Sequence, residues 1–282
     1  MVALSAVFFG SYGIWARLIG TDIGNFFQVY SRCAIILCIL LPIGYFTHSL
    51  KPIAFKDWKW IAIYTLFGGL LTQIPYFYAF NILGIGSATL LFYASYTIVS
   101  FVLGVLFFGE QMTWDKLCGL ICAIAGLSIL YHVSFLHHQV FAACLAVIAG
   151  LAGGVEVVFT KKVSHTYSPL ELSIFIWVVT FFGHLIGSFI FHEYQFLSFT
   201  SPLWLPILGY AIASISAFFL VVSGYKYVEP SIGGLTGLLE ILFGIGFGML
   251  FFKEQLTPQI VIGGTCILLA AALPNIVNLK RK

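Results

Sequence analysis

Ten apolar stretches, each close to 20 residues long, are the feature of this sequence that most constrains its fold. About 20 consecutive apolar residues cross the hydrocarbon core of a bilayer as one helix. Short segments with glycine, proline or charged residues separate the stretches, so no soluble domain is expected. We predict spans one to ten at about 2–19, 24–46, 58–81, 85–108, 115–132, 139–160, 170–191, 203–225, 231–252 and 258–276.

The composition indicates the same class of protein. Of the 282 residues, 61% are hydrophobic and 8% are charged, whereas about 25% of the residues in a typical soluble domain are charged. A soluble fold of this size could not keep so much apolar surface from water, but a helix in lipid satisfies its own backbone polar groups. We therefore predict an all-α integral membrane protein. The net charge of +3 predicts no nucleic-acid partner.

The six cysteines indicate neither a metal site nor a redox centre. All six fall inside apolar stretches, and none forms a CxxC pair. A buried cysteine behaves as a small hydrophobic residue. We expect no metal, no cofactor and no catalytic residue in this chain.

Lysine and arginine are distributed unequally between the two ends of the spans. These residues concentrate on the cytoplasmic side of membrane proteins. With the N-terminus inside, the cytoplasmic side carries Lys51, Lys56, Lys59, Lys116, Lys161, Lys162, Lys226, Lys280, Arg281 and Lys282. The outer loops carry Lys253, while Arg17 and Arg32 lie within spans. We predict a multi-pass protein of the cell inner membrane with both termini cytoplasmic.

The chain contains an internal repeat. Residues 104–113 (GVLFFGEQMT) resemble residues 248–257 (GMLFFKEQLT), and the offset of 144 residues holds without a gap across two helices. We predict one five-helix repeat over residues 1–135 and a second over residues 136–282. Because five is an odd number, the second repeat is inverted in the membrane. Inverted repeats recur in secondary transporters, which hold their substrate near the midplane between the repeats.

The repeat also carries a resemblance to a known family. Two five-helix halves, each with a fourth helix followed by Gly-Glu-x-x-Thr or a variant of it, resemble the EamA-type transporters of the drug/metabolite transporter superfamily. The copies here are 109–113 (GEQMT) and 253–257 (KEQLT), and Leu238-Leu239-Glu240 resembles a Leu-Glu-Pro motif of the family. The resemblance implies a carrier rather than an enzyme. The family often has proline in the middle of helices four and nine, where this chain has Thr97 and Ile241. We therefore expect these helices to bend less, or to bend at the glycines Gly104, Gly244 and Gly248.

Two ionisable residues near the midplane are the first candidates for substrate binding. Charge inside a bilayer is costly, so Arg32 in span two and Glu240 in span nine are candidates by default. They would either pair with each other or each hold one end of a zwitterion; the structural alternatives are an ion pair and an arginine that reaches outward to water. His184 in span seven is expected to be a hydrogen-bonded structural residue, with proton relay as the alternative.

Span four presents a polar stripe, because Thr89, Tyr93, Tyr96 and Ser100 recur at helical spacing. At the repeat offset, span nine places glycines or Glu240 opposite these positions. Facing each other, the two helices would form a cavity with an aromatic wall and one charge; ordinary packing through small residues is the alternative.

Further candidates lie in spans one and three. Gln73 and Tyr76 share one face of span three, which we expect to kink at Pro75, and Trp15 of span one would help to close the cavity toward the outside.

Three other carboxylates are expected to have structural roles. Glu156 is placed near the cytoplasmic end of span six, paired with Lys161 or Lys162. Glu110 and Glu254 are expected to cap the helices that follow them.

These residues favour a secondary transporter that works by alternating access on a small polar or amphipathic metabolite, best an amino acid or an amino-acid derivative. Export of cationic drugs and carriage of a nucleoside-type metabolite such as S-adenosylmethionine are the alternatives. An intramembrane enzyme or a channel would need a catalytic constellation or a filter, and the sequence contains no recognisable motif for either. The expected partners are the substrate, membrane lipid, and protons or a counter-substrate.

Overall fold

The computed structural model describes residues 1–21, 23–131, 139–193 and 195–281, and within these ranges every regular element is a helix. The first five spans are α1 (Val2–Gly10) with α2 (Tyr12–Ile19), α3 (Asn25–Phe46), α4 (Trp58–Leu66) with α5 (Gln73–Leu83), α6 (Ile85–Phe108) and α7 (Trp114–Leu130). The second five are α8 (Val140–Val163), α9 (Pro169–Ile190), α10 (Trp204–Tyr225), α11 (Pro230–Gly237) with α12 (Leu239–Phe252), and α13 (Pro258–Arg281).

Nine of the helical stretches in the described part of the chain have 18 or more residues and are apolar enough to cross a bilayer. The tenth, α7, has 17 residues and packs against α13 through small residues. A methyl group at Gly126 would lie only 2.8 Å from the carbonyl oxygen of Gly263. The absence of a side chain at Gly126 therefore lets the two helices approach closely, as small residues do between membrane helices. The all-helical, ten-span prediction is confirmed.

The geometry shows the repeat directly. Gly10 of span one packs on span nine, where an added methyl would lie 2.7 Å from the carbonyl oxygen of Glu240. Gly154 of span six packs on span four, where an added methyl would lie 2.8 Å from the carbonyl oxygen of Tyr96. Both members of the second contact are related to those of the first by the 144-residue offset. Each repeat therefore contributes its first helix to a crossing with the fourth helix of the other.

Hydrogen bonds at the loops identify the two ends of the bundle. At one end, which we call the Glu110 end, the backbone N–H of Lys51 donates to Glu171 over 2.9 Å. At the opposite end, the Glu254 end, the backbone N–H of Phe26 donates to Glu193 over 2.7 Å. Equivalent segments of the two repeats thus face opposite ends, as expected for inverted repeats.

Spans one and nine are each broken near the middle. Span one is interrupted at Ser11, between α1 and α2, and span nine at Leu238, between α11 and α12. The expectation that span nine bends at Gly244 or Gly248 is wrong, because the break precedes Glu240 by two residues. Broken helices of this kind occur at the substrate sites of transporters.

Span three contains a π-helical segment, Phe67–Leu71, just before α5. Pro75 lacks a backbone N–H and would clash with the carbonyl group of Leu71, four residues earlier, so the regular pattern cannot pass through this turn. The irregularity expected at Pro75 therefore appears one turn earlier. Gly68 and Gly69 in this segment allow span three to approach spans six and seven closely.

The two copies of the repeated motif fold alike. Gly109 and Lys253 end their helices in the left-handed conformation, with φ of +62° and +57°. The following carboxylates fold back over the preceding helix, so that those of Glu110 and Glu254 lie over Gly104 and Gly248. The expectation that they cap the next helix is wrong. At the start of α13 the N-terminal hydrogen bond runs instead from the N–H of Ile260 to Thr257 Oγ1, over 3.3 Å.

Candidate substrate site

Glu240 lies at the break in span nine, in the first turn of the half-helix α12. Its carboxylate accepts a hydrogen bond from the hydroxyl group of Tyr93 in span four, at 2.8 Å. The start of a helix carries partial positive charge, which stabilises a carboxylate there. This contact brings spans four and nine face to face.

Aromatic rings extend from Tyr93 along span four and across to span three. Phe92 and Tyr96 are stacked with their ring centres 6.1 Å apart, and the rings of Tyr76 and Phe92 are 4.8 Å apart. The hydroxyl groups of Tyr76 and Thr89 lie 3.1 Å apart. The half-buried rings of Tyr76, Phe92, Tyr93 and Tyr96, with the buried Thr89, form one wall next to Glu240.

Tyr225 completes this wall from span eight, and the sequence analysis did not identify it. Its hydroxyl group lies 3.4 Å from that of Tyr96, although Tyr225 sits at the last residue of a predicted span. Because α11 begins only five residues later, the ring of Tyr225 reaches back into the bundle and packs against Gly233.

Glycines in span nine make room for the aromatic wall. A methyl group at Gly237 would lie 3.5 Å from the hydroxyl oxygen of Tyr96, and one at Gly234 would lie 3.2 Å from Cβ of Ser100. Ser100 is fully buried, and its hydroxyl group donates to the carbonyl of Tyr96 in its own helix, at 2.7 Å. The structure therefore places Ser100 in the packing interface behind the wall.

Gln73 and Trp15 lie at different levels of the bundle. Gln73 belongs to the first turn of α5, and its Oε1 atom is enclosed without a hydrogen-bond partner in the described part of the chain. Trp15 donates from Nε1 to the hydroxyl of Ser11 at 3.3 Å, and its ring packs on Gly209 of span eight. Trp15 thus lies on the Glu254 side of the break in span one.

Arg32 lies in an aromatic box formed by three other spans. Its side chain is 4% exposed, and its guanidinium carbon is 4.0 Å from the ring centre of Tyr210 and 5.9 Å from those of Tyr12 and Trp177. The ion pairs among the described residues do not include Arg32 with Glu240, so the two charges remain on separate walls.

Several polar atoms around Arg32 are buried without a hydrogen-bond partner from the described residues. They are Nε of Arg32, the hydroxyl oxygen of Tyr12 and Nε1 of Trp177. Buried donors are nearly always paired, so such a cluster requires an explanation. His184, one turn beyond Thr180, is hydrogen-bonded through Nδ1 to the carbonyl of that residue at 2.9 Å.

Glu156 also lies inside the bundle, in contrast to its predicted place at the end of span six. The helix continues to Val163, so Glu156 is about two turns from its end. A methyl group at Gly68 would lie 2.5 Å from Cδ of Glu156. Lys161 and Lys162 point elsewhere: Lys161 donates to the carbonyl of Val228 at 2.6 Å, and Lys162 lies 5.6 Å from the ring centre of Trp60. The predicted pairing of Glu156 with these lysines is wrong.

The Glu110 end of the bundle is tied together by buried charges. The carboxylate of Glu110, at the end of span four, accepts a hydrogen bond from the hydroxyl of Ser231, at the start of span nine. Lys116 Nζ lies 3.5 Å from that carboxylate and 2.5 Å from that of Glu229. Burial raises the pKa of Glu110, against the opposing effects of Ser231 and Lys116. A polar cavity of about 460 Å³ opens beside this cluster.

The Glu254 end carries the matching carboxylate in a different environment. Glu254 pairs with Arg17 of span one at 2.5 Å, and its side chain is 41% exposed, against 3% for Glu110. The guanidinium group of Arg17 also lies 4.6 Å from the ring centre of Phe252. This ion pair joins spans one and nine.

Comparison with known proteins identifies the family. The model of the EamA-like transporter family matches residues 1–132 and 140–276. The chain belongs to the EamA-like transporter family. It is thus a membrane transporter of the drug/metabolite transporter superfamily, as the motif copies indicated.

One solved crystal structure, whose title names no activity, has the same fold. It matches with a TM-score of 0.83 and 15% sequence identity, over 100% of this chain and 97% of the other. At this identity the match supports the fold alone. A search of curated proteins by sequence finds no match.

Proposed function

We propose that this EamA-like transporter carries an amino acid or an amino-acid derivative across the cell inner membrane by alternating access. The observation that supports it best is the pair of separate charges. Glu240 and Arg32 lie on different walls and do not pair with each other. A buried charge without a counter-ion is costly, so each wall is suited to one end of a zwitterion.

The chemistry of each wall fits one of these ends. The carboxylate of Glu240, hydrogen-bonded to Tyr93, would take the ammonium group, and the surrounding aromatic faces also attract cations. The guanidinium group of Arg32 would take the carboxylate, because arginine binds carboxylates through two parallel hydrogen bonds. Tyr76, Tyr96 and Gln73 would contact the rest of the substrate.

The two ends of the bundle support alternating access. Buried contacts close the Glu110 end, between spans four and nine, while the equivalent Glu254 end has an exposed ion pair. We place the Glu110 end, together with both termini, in the cytoplasm, because most of the lysines and arginines lie there. The structure is then closed toward the cytoplasm, and the opposite state would close Glu254 onto span four. Protons or a counter-substrate would drive the exchange.

Export of a cationic, amphipathic compound is the second candidate function. The stacked rings of Phe92 and Tyr96 beside Glu240 favour it, because such a compound needs an aromatic surface and one negative charge. This function would leave Arg32 without a role in binding.

Uptake into proteoliposomes tests the proposal. Labelled amino acids, S-adenosylmethionine, nucleosides and a quaternary amine would be compared for the native protein, Glu240→Gln and a control, Glu193→Gln, which removes a carboxylate at the membrane end. We expect saturable uptake of one amino-acid class, lost in Glu240→Gln and kept in Glu193→Gln. Uptake of the quaternary amine alone would support the second candidate, and no uptake or counterflow of any compound would contradict both.

A further inference from the structure

We propose that Glu156 is a second cation subsite, and that the substrate is therefore an amino acid that carries a second positive charge. This inference rests on the proposed function and narrows its substrate class. The sequence predicts a structural role for Glu156 at the membrane end, whereas the fold places this residue in the interior of the bundle.

The residues around Glu156 leave room for its carboxylate group. Span three approaches it through the π-helical segment, where Gly68 leaves the space that Cδ of Glu156 needs. Short π-helical segments often occur at functional sites. Glu156 is half-buried, although it lies about two turns inside its helix.

No cationic side chain of the described residues neutralises Glu156. Lys161 is held by the carbonyl of Val228, Lys162 lies over Trp60, and Arg32 lies over Tyr210.

Glu156 lies close to the aromatic wall, because one turn before it a methyl group at Gly153 would lie 3.2 Å from the ring of Tyr96. The hydroxyl groups of Tyr96 and Tyr225 lie 3.4 Å apart in this wall. Glu240 contacts the same wall through the hydroxyl group of Tyr93. A cation between the two carboxylates would relieve their repulsion, and two tyrosine rings would line its position.

The repeat relates the surroundings of Glu156 to those of Arg32. At the 144-residue offset, Glu156 corresponds to Tyr12, and Ile176, which also adjoins Gly68, corresponds to Arg32. The first repeat therefore places a buried cation beside a tyrosine, and the second places a carboxylate beside an isoleucine. These two positions are equivalent in the fold and opposite in charge.

Counting the buried charges gives the substrate class. When both carboxylates are ionised, Glu156 and Glu240 carry two negative charges and Arg32 carries one positive charge, so a ligand with two cations and one carboxylate would match them. A neutral amino acid would leave one carboxylate unpaired, whereas an amino acid with an ammonium or sulfonium group in its side chain would pair all three.

Two matched ligand pairs test this inference. Lysine and norleucine differ by the side-chain ammonium group, and S-adenosylmethionine and S-adenosylhomocysteine differ by the sulfonium charge. Each is used as a competitor and as a labelled substrate in counterflow with the native protein, Glu156→Gln and Glu156→Asp. In at least one pair, we expect the native protein to prefer the cationic member by about 30-fold or more, as for a buried charge pair. Glu156→Gln should reduce that preference to below about 3-fold, and Glu156→Asp should keep most of it.

The outcomes separate this inference from the proposed function. Equal transport of both members of each pair, unchanged in Glu156→Gln, would overturn the second cation subsite while leaving an amino-acid carrier. Loss of pH-driven uptake in Glu156→Gln, with unchanged counterflow and preference, would instead make Glu156 a proton site and overturn the inference. Tryptophan fluorescence and elution as a single species would establish that each variant is folded. Transport of no amino acid by any variant would contradict the proposed function itself.

Discussion

The two copies of the repeated motif have the same backbone but different partners. Both end a helix in the left-handed conformation and fold a carboxylate back over a glycine. Glu110 is buried against Ser231 and Lys116, whereas Glu254 is exposed and pairs with Arg17. The difference teaches that the motif is a reusable structural unit, and that its neighbours decide whether it closes the bundle.

The sequence accounts for part of this difference between the two copies. Lys116 corresponds to Ile260 at the repeat offset, so the second copy has no cation at the equivalent position of its following helix. Arg17 corresponds to Lys161, which lines the cavity beside Glu110 but donates to Val228. Each end thus has a cation from the first helix of the other repeat, and the Glu110 end has a second one of its own.

Removing the extra cation should give the largest effect. Lys116→Met leaves the carboxylates of Glu110 and Glu229 side by side, and breaking a buried ion pair costs about 3–5 kcal/mol. Because Glu229 is partly exposed, we expect a loss of about 3 kcal/mol in the free energy of unfolding, measured by denaturant titration in detergent. The matched change Ile260→Met should cost less than about 1.5 kcal/mol. Equal losses would show that the two ends do not differ in stability.

Alanine at the two glycines under the carboxylates should give the next largest difference. A methyl group at Gly104 would lie 2.9 Å from the carboxylate of Glu110, which its buried partners hold in place. The exposed side chain of Glu254 can instead turn into water when Gly248 is replaced. We expect Gly104→Ala to cost about 2 kcal/mol and Gly248→Ala about 0.5 kcal/mol or less, by the same titration. A larger cost for Gly248→Ala would contradict the comparison.

Accessibility measurements would sharpen the assignment of a closed end. In a cysteine-free background, Ile232→Cys reports on the Glu110 end, and Ala88→Cys, its counterpart at the repeat offset, reports on the Glu254 end. We expect Glu110→Gln to speed the labelling of Ile232→Cys by an impermeant maleimide about 10-fold, equivalent to about 1.4 kcal/mol. Glu254→Gln should change the labelling of Ala88→Cys by less than about 2-fold. Unchanged labelling at Ile232→Cys would show that Glu110 does not hold this end closed.

The smallest effect is expected for the exposed ion pair. Exposed pairs contribute about 0–1 kcal/mol, so Arg17→Gln should lower the free energy of unfolding by less than about 1 kcal/mol. About 1 M salt should remove most of that difference, because it screens exposed charges within a few ångströms. A loss of several kcal/mol in the free energy of unfolding that does not depend on salt would instead show that Arg17 holds the Glu254 end closed.

The spans, the repeat and the facing of Tyr93 and Glu240 could be predicted because each depends on local periodicity or on internal similarity. The break at Leu238 could not, because neither proline nor a polar residue marks it, and it is the tertiary contact with Gly10 that accompanies it. The depth of Glu156 was missed because the helix runs three residues past its predicted end. The aromatic box around Arg32 joins four spans, a combination that no single stretch of sequence shows.

The break in span nine also makes α11 a short helix, separate from α12. Its eight residues measure about 12 Å, with Ser231 near one tip and Glu240 just past the other. Ser231 is hydrogen-bonded to Glu110 at the membrane surface, and the break at Leu238 lies next to the candidate site. A tilt of α11 would therefore move the Ser231–Glu110 contact and the backbone at Glu240 together. Opening of the bundle and release of the substrate would then occur in one movement.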